Sequence, residues 1–197
     1  KSFVENRLSK SLRKHEAVRI VEKYQIVWKI PSIPIYINRL IRYYPKTKVI
    51  YVKRSISDTM NSLLKKQWFN NNTLKNNNLN WPNNNYKGLI VPFWVKKNDS
   101  KKWINMTEID RCAYYILRMN DFTHNKNFIY IEYEDLIKGP FDAILKLSKS
   151  LGLEWGAKTK EILNTVKINP IKRDDNILQK ISKSLRLKLE LDIHLNN

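Results

Sequence analysis

Four β-favouring residues, Val49-Ile50-Tyr51-Val52, run straight into the basic pair Lys53-Arg54 and then into Ser55-Ile56-Ser57. Helical spacing follows: Met60, Leu63, Leu64 and Trp68 fall on one side, Asp58, Ser62 and Lys66 on another. The pattern predicts a buried strand, a short turn and an amphipathic helix. Ser55 or Ser57 caps that helix and leaves backbone N–H groups aimed at the turn. A turn of this kind at the carboxyl end of a strand is a natural anion site. Arg54 adds a fork of donors suited to phosphate. Ser62 can lend a hydroxyl from within the helix, and Lys66 lies one turn further on the same face. Any one of these residues alone reads as a solvated strand end; the combination is what constrains the chain.

The flanking segments extend the pattern. Tyr24–Trp28 reads as a strand ending at Lys29, Pro34 starts a helix to about Tyr44, and Lys48–Val52 is the next strand. Strand, helix, strand in this length is a βαβ unit, which puts both strand ends on one edge of a parallel sheet. Lys29 and Arg54 are therefore expected at the same edge. Thr107–Phe122 shows the clearest helix, with Ile109, Cys112, Ala113, Ile116 and Leu117 on one face. Phe128–Tyr133 reads as a further strand. Tyr133-Glu134-Asp135-Leu136 then leads through Gly139-Pro140 into a helix that Gly152 stops. Residues 1–16 and 158–197 have helical composition. Between them, residues 69–103 read as a long loop, Asn-rich over Asn70–Asn85, with aromatics that either pin it to the core or line an acceptor site. The expectation is a single α/β domain over residues 1–197, with a central parallel sheet flanked by helices.

A formal charge of +19 on 197 residues implies acidic partners such as nucleic acid, anionic lipid, or phosphorylated and sulfated ligands. Lys-rich and Asn-rich coding bias explains the excess equally well. The single cysteine, Cys112, excludes an internal disulfide framework and a multi-cysteine metal site, and its place on an apolar helix face reads as a buried thiol. No apolar run approaches membrane-spanning length and there is no secretory h-region, so a cytoplasmic protein without an integral membrane segment is expected. The first residue is lysine, so the natural start of the gene product is not in view.

Tyr44-Pro45-Lys46-Thr47-Lys48 leading into Val49–Arg54, with Ser62 beyond, resembles the 3′-phosphate-binding segment of sulfotransferases that use 3′-phosphoadenosine 5′-phosphosulfate (PAPS). The Tyr133-Glu134-Asp135-Leu136 stretch, followed by Pro140 and a helix ending in Leu151-Gly152-Leu153, is similar to a second segment of the same family. Lys29-Ile30-Pro31 resembles the Lys-x-Pro segment of tyrosylprotein-type and many bacterial members. The resemblance implies a P-loop nucleotide-hydrolase-like architecture. It implies that Arg54 and Ser62 hold the cofactor's 3′-phosphate, with Lys66 nearby, and that Tyr133 lies beside the adenine. Lys29 would meet the transferring sulfuryl group. Lys1 and Ser2 would be the tail of the 5′-phosphosulfate loop, whose strand and greater part would precede residue 1. The late basic pair Lys172-Arg173 would approach the 3′-phosphate. Pro31 stands where cytosolic small-molecule members carry a catalytic histidine, so the base must be sought elsewhere, and Glu16 is the candidate.

Two other classes compete. A magnesium-dependent NTPase usually needs a carboxylate at a core strand end, whereas this strand ends in Lys53-Arg54. A basic nucleic-acid-binding module fits the charge and aromatics but not the Arg54/Ser62 spacing. A degenerate relative that binds the nucleotide without turnover is a third reading. The acceptor, whether carbohydrate, protein tyrosine, lipid or small metabolite, is not specified. If Glu16 is the base, Glu16→Gln abolishes turnover while cofactor binding, followed by calorimetry, survives; full activity removes Glu16 from the mechanism.

Overall fold

The computed structural model describes residues 29, 36–76, 82–121, 128–165, 174 and 176–195. The chain divides into two compact units, Lys1–Ile33 and Pro34–Asn197. In the first unit only Lys29 is described, and it is exposed. The expected strand at Tyr24–Trp28 lies outside the described residues.

Within the second unit, α1 (Ile37–Tyr43) precedes β1 (Val49–Lys53), which leads into α2 (Ile56–Lys66). Ser55 is the cap of α2: its Oγ accepts from the Asp58 N–H at 3.2 Å. Met60 and Leu63 are buried on the core face, and Gln67 closes the helix in the left-handed region at φ 52°. A short helix α3 (Asn71–Asn76) follows, then β2 (Asn83–Tyr86) and β3 (Leu89–Pro92). These two strands form an antiparallel hairpin with Tyr86 opposite Leu89. Its two-residue turn has Lys87 at φ 52° and Gly88 at φ 78°, a left-handed pair matched to strand twist, and glycine takes the second position without a Cβ penalty.

A 3₁₀ turn (Lys97–Asp99) leads into α4 (Ser100–Ile104), and Thr107 caps α5 (Glu108–Asn120) by accepting from the Asp110 N–H at 3.2 Å. β4 (Phe128–Glu132) passes directly into α6 (Tyr133–Lys138), and Pro140 opens α7 (Pro140–Leu151). Gly152, at φ 68°, ends α7, where the Leu153 N–H reaches back to the Ser148 carbonyl at 2.9 Å. Helix α8 (Ala157–Thr165), a 3₁₀ turn (Ile177–Lys180) and α9 (Lys183–Leu195) complete the described chain.

β1 and β4 pair in parallel, Val49 opposite Phe128 through Lys53 opposite Glu132, so both strands end at one edge. Among the described residues the fold is α/β, a parallel strand pair flanked by helices. Tyr51 and Tyr130 share one face of the pair with rings 6.0 Å apart, and the Tyr51 hydroxyl lies 3.3 Å from Asn120 Oδ1 at the end of α5.

The long stretch expected to be an irregular loop is instead built of short elements: α3, the hairpin, the 3₁₀ turn and α4. Two forces order it. Phe69, Trp94 and Trp103 are at most 2% exposed and meet edge-to-face, Trp94 and Trp103 with ring centroids 4.9 Å apart. Each such aromatic brings a large apolar area out of water, and the edge contacts add to it. These residues pin the segment to the core, the first of the two roles open to its aromatics. The second force is Arg111 on α5, which is 1% exposed. Its Nε donates to the Trp103 carbonyl at 3.1 Å and Nη2 to the Ile104 carbonyl at 2.9 Å. Nη1 donates to the Phe69 carbonyl at 3.0 Å and to Asn71 Oδ1 at 2.7 Å. A buried guanidinium tolerates this position only because its donors are met. Burial lowers the Arg111 pKa from its ordinary value, and the Glu108 carboxylate one turn away opposes that shift.

Cys112 beside it is fully buried, as its helix face suggests. Burial, reinforced by the Glu108 carboxylate, pushes its thiol up to about 12. At pH 8 the thiolate is therefore scarce, and a thiol reagent should leave the native protein unmodified and react only after denaturation. Arg111→Met removes four donors and leaves three carbonyls facing the interior, and should cost about 3–5 kcal/mol in urea unfolding. Arg111→Lys should recover only part of that loss, because an ammonium cannot span the same acceptors. Loss of less than about 1 kcal/mol in Arg111→Met would show that the clamp does not hold the segment.

Candidate functional site

The parallel register sets the site. Because Lys53 stands opposite Glu132, the next residues of each strand emerge side by side at the carboxyl edge. Lys53 Nζ and Glu132 Oε1 lie 3.7 Å apart. One residue on, the Arg54 guanidinium carbon sits 4.5 Å from the centroid of the Tyr133 ring. One further, the Ser55 N–H donates to Glu134 Oε1 at 3.1 Å. Arg54 and Tyr133, expected at a common rim, are thus in direct contact.

Arg54 is half-buried, and its Nε is shut off from solvent without a hydrogen-bond partner. Among the described residues no carboxylate pairs with its guanidinium. An unpartnered buried donor on a charged group is unfavourable unless something else completes it. The aromatic face below supplies a cation–π contact but no acceptor. The half-exposed side chain carries the donor fork that suits a phosphate.

Ser62 is half-buried in α2, seven residues beyond the capping Ser55. Seven residues are close to two full turns, so Ser62 lies on the same side of the helix as the cap. Lys66 continues that face but is exposed, and its Nζ lies 4.5 Å from the Trp68 ring centroid. Next to Ser62, the Asn61 side chain bonds the Asp174 backbone both ways. Its Nδ2 donates to the Asp174 carbonyl at 3.4 Å, and its Oδ1 accepts from the Asp174 N–H at 3.3 Å. This ties the C-terminal part of the chain to α2.

One expectation at this edge needs correction. β4 ends at Glu132, so Tyr133 is the first residue of α6 and Tyr-Glu-Asp-Leu is helical. Glu134 and Asp135 do lie in the first turn of that helix, but the Glu134 carboxylate reaches across to the Ser55 N–H. The Glu134 and Asn61 contacts are absent from the sequence reading. The hint was chemical: the residues straddling the two strand ends, Lys53-Arg54-Ser55 and Glu132-Tyr133-Glu134, are complementary pair by pair. Lys29 is exposed in the first unit. Lys1, Ser2, Glu16, Lys172 and Arg173 lie outside the described residues.

A cleft of about 500 Å³ opens beside β4 and α7, lined by Ile129, Ile131, Glu132, Asp135, Lys138 and Lys146 among others, and it meets the strand ends at Glu132. Its lining includes neither Arg54 nor Tyr133. Among the described residues no helix is long and apolar enough to cross a membrane.

The profile of the Sulfotransferase domain matches residues 33–187, well over half of the chain, and spans both strand-end turns. No curated protein and no solved structure matches the sequence. An anion-competent turn at the edge of a parallel pair and a family match that covers it lead to one conclusion: the chain belongs to the sulfotransferase family.

Proposed function

We propose that this protein transfers a sulfuryl group from PAPS to an acceptor hydroxyl or amine, in the Lys-x-Pro manner of the tyrosylprotein-type and bacterial members. The observation that carries the reading is Arg54: a half-exposed guanidinium at the carboxyl edge of the sheet, stacked on Tyr133 and, among the described residues, paired with no carboxylate. The bound nucleotide supplies the activated sulfuryl group as a phosphosulfate anhydride.

In this reading Arg54 donates to the 3′-phosphate and the Ser62 hydroxyl adds a second donor, while Tyr133 borders the adenine. Lys66 adds positive charge further along α2. Holding the remote end of the nucleotide aligns the reacting end, because binding energy spent there fixes orientation. Lys1 and Ser2 contact the 5′ end. Lys29 neutralises charge on the leaving phosphate oxygen, the main electrostatic need of a loose, in-line transfer. Glu16 takes the proton of the acceptor hydroxyl as the new bond to sulfur forms.

Calorimetry with adenosine 3′,5′-bisphosphate tests the cofactor assignment. The wild-type chain should bind it with modest salt dependence. Arg54→Ala should weaken binding about 10- to 100-fold and Ser62→Ala about fivefold, the usual worth of a charged and a neutral hydrogen bond. Binding of a short RNA alone, falling steeply with salt, would instead establish a nucleic-acid module.

A further inference from the structure

Three contacts at successive register positions join the two strand ends: the last ladder pair, Lys53 with Glu132, and beyond it Arg54 with Tyr133 and Ser55 with Glu134. They differ in how firmly they fix position. The first is a partly exposed ion pair at 3.7 Å, a weak constraint. The second holds the guanidinium over a ring face but leaves it free to slide or turn there. The third is a charge-assisted hydrogen bond from a backbone N–H; it is also solvent-exposed, but it is directional and acts on the main chain next to Arg54. Ser55 is held twice, since its Oγ also caps α2. Glu134 therefore joins the start of α2 to α6, and Arg54 and Tyr133 are the residues immediately before the two partners of that bond.

From this geometry we infer that Glu134 is a positioning residue for the anion grip. By accepting the Ser55 N–H, its carboxylate locks the β1–α2 turn against α6. That holds Arg54 over Tyr133. Engagement with Ser55 also occupies a carboxylate oxygen that would otherwise be drawn to the guanidinium and compete with a bound anion. The inference deepens the cofactor reading and rests on it for the identity of the anion, the 3′-phosphate.

The test uses the whole chain, two variants and two readouts. The first readout is calorimetry with adenosine 3′,5′-bisphosphate and with adenosine 5′-monophosphate, which lacks the 3′-phosphate. Glu134→Ala should weaken the bisphosphate about 5- to 10-fold and leave the monophosphate unchanged, while Glu134→Gln, whose side-chain carbonyl can still accept from Ser55, should restore the wild-type difference. The second readout needs no ligand: the Arg54 Nε–H resonance, assigned with Arg54→Lys, carries the ring-current shift of Tyr133. It should lose that shift in Glu134→Ala and keep it in Glu134→Gln. Unchanged bisphosphate affinity with an unmoved resonance in Glu134→Ala, or equal loss of both nucleotides, overturns the proposal. Should Glu134→Ala not fold, loss of the shift in Glu134→Gln overturns it and retention supports it. If the wild type binds neither nucleotide, the cofactor reading fails, and the resonance alone decides whether Glu134 positions Arg54.

Discussion

A single buried cation organises the helical half of the unit. Arg111 brings a full charge into a region where water cannot follow, and the chain answers by folding three carbonyls and an asparagine oxygen around it. Those acceptors come from Phe69 just after α2, from Asn71 in α3 and from the end of α4, the first two about 40 residues before Arg111 in sequence. Meeting one residue's donors therefore ties Phe69 and Asn71 to the end of α4 at Trp103 and Ile104. The aromatic cluster around Trp94 and Trp103 supplies apolar burial, and the arginine supplies direction. Without directed acceptors, flat rings allow many packings of similar energy.

The molecule uses its arginines in opposite ways. Arg111 has its donors satisfied internally and is inert, one more part of the core. Arg54 lies on an aromatic face with a donor unmet, at the edge where strand order leaves backbone N–H groups and a capped helix. The difference arises from position alone. A residue in the middle of α5 is surrounded by other segments, whereas one immediately after a parallel strand faces the sheet's open end. Parallel pairing then does for the site what Arg111 does for the core. It brings two turns from far apart in the chain together in register, so that a cation, a ring, a helix cap and a carboxylate meet within a few residues.

The elements with strong periodicity were legible in advance. The strand before Arg54, the helix carrying Met60 and Leu63, the Cys112 face and the Gly152 stop all appear where spacing and turn chemistry put them. Each depends on local propensities that act over one or two turns. The Asn-rich region was misread because its order is not local. Asparagine has no strong preference for helix or strand; α3 is held by the Asn71 contact with Arg111, and β2 by its pairing with β3. The hairpin turn did leave a trace, Gly88 ahead of Leu89-Ile90-Val91, but the polar residues before it gave no alternation to match.

At the site, the sequence by itself determined the chemical inventory: a basic strand end, a serine-capped helix and a tyrosine after a second strand, in an order that fits one family. Tertiary structure alone decided that Arg54 rests on Tyr133, that Tyr133 opens a helix instead of closing a strand, and that Glu134 bonds to Ser55. The reason is that composition and periodicity encode what each segment buries. Which turn faces which follows from the register between strands that lie 79 residues apart, and register is settled only when the two strands pair.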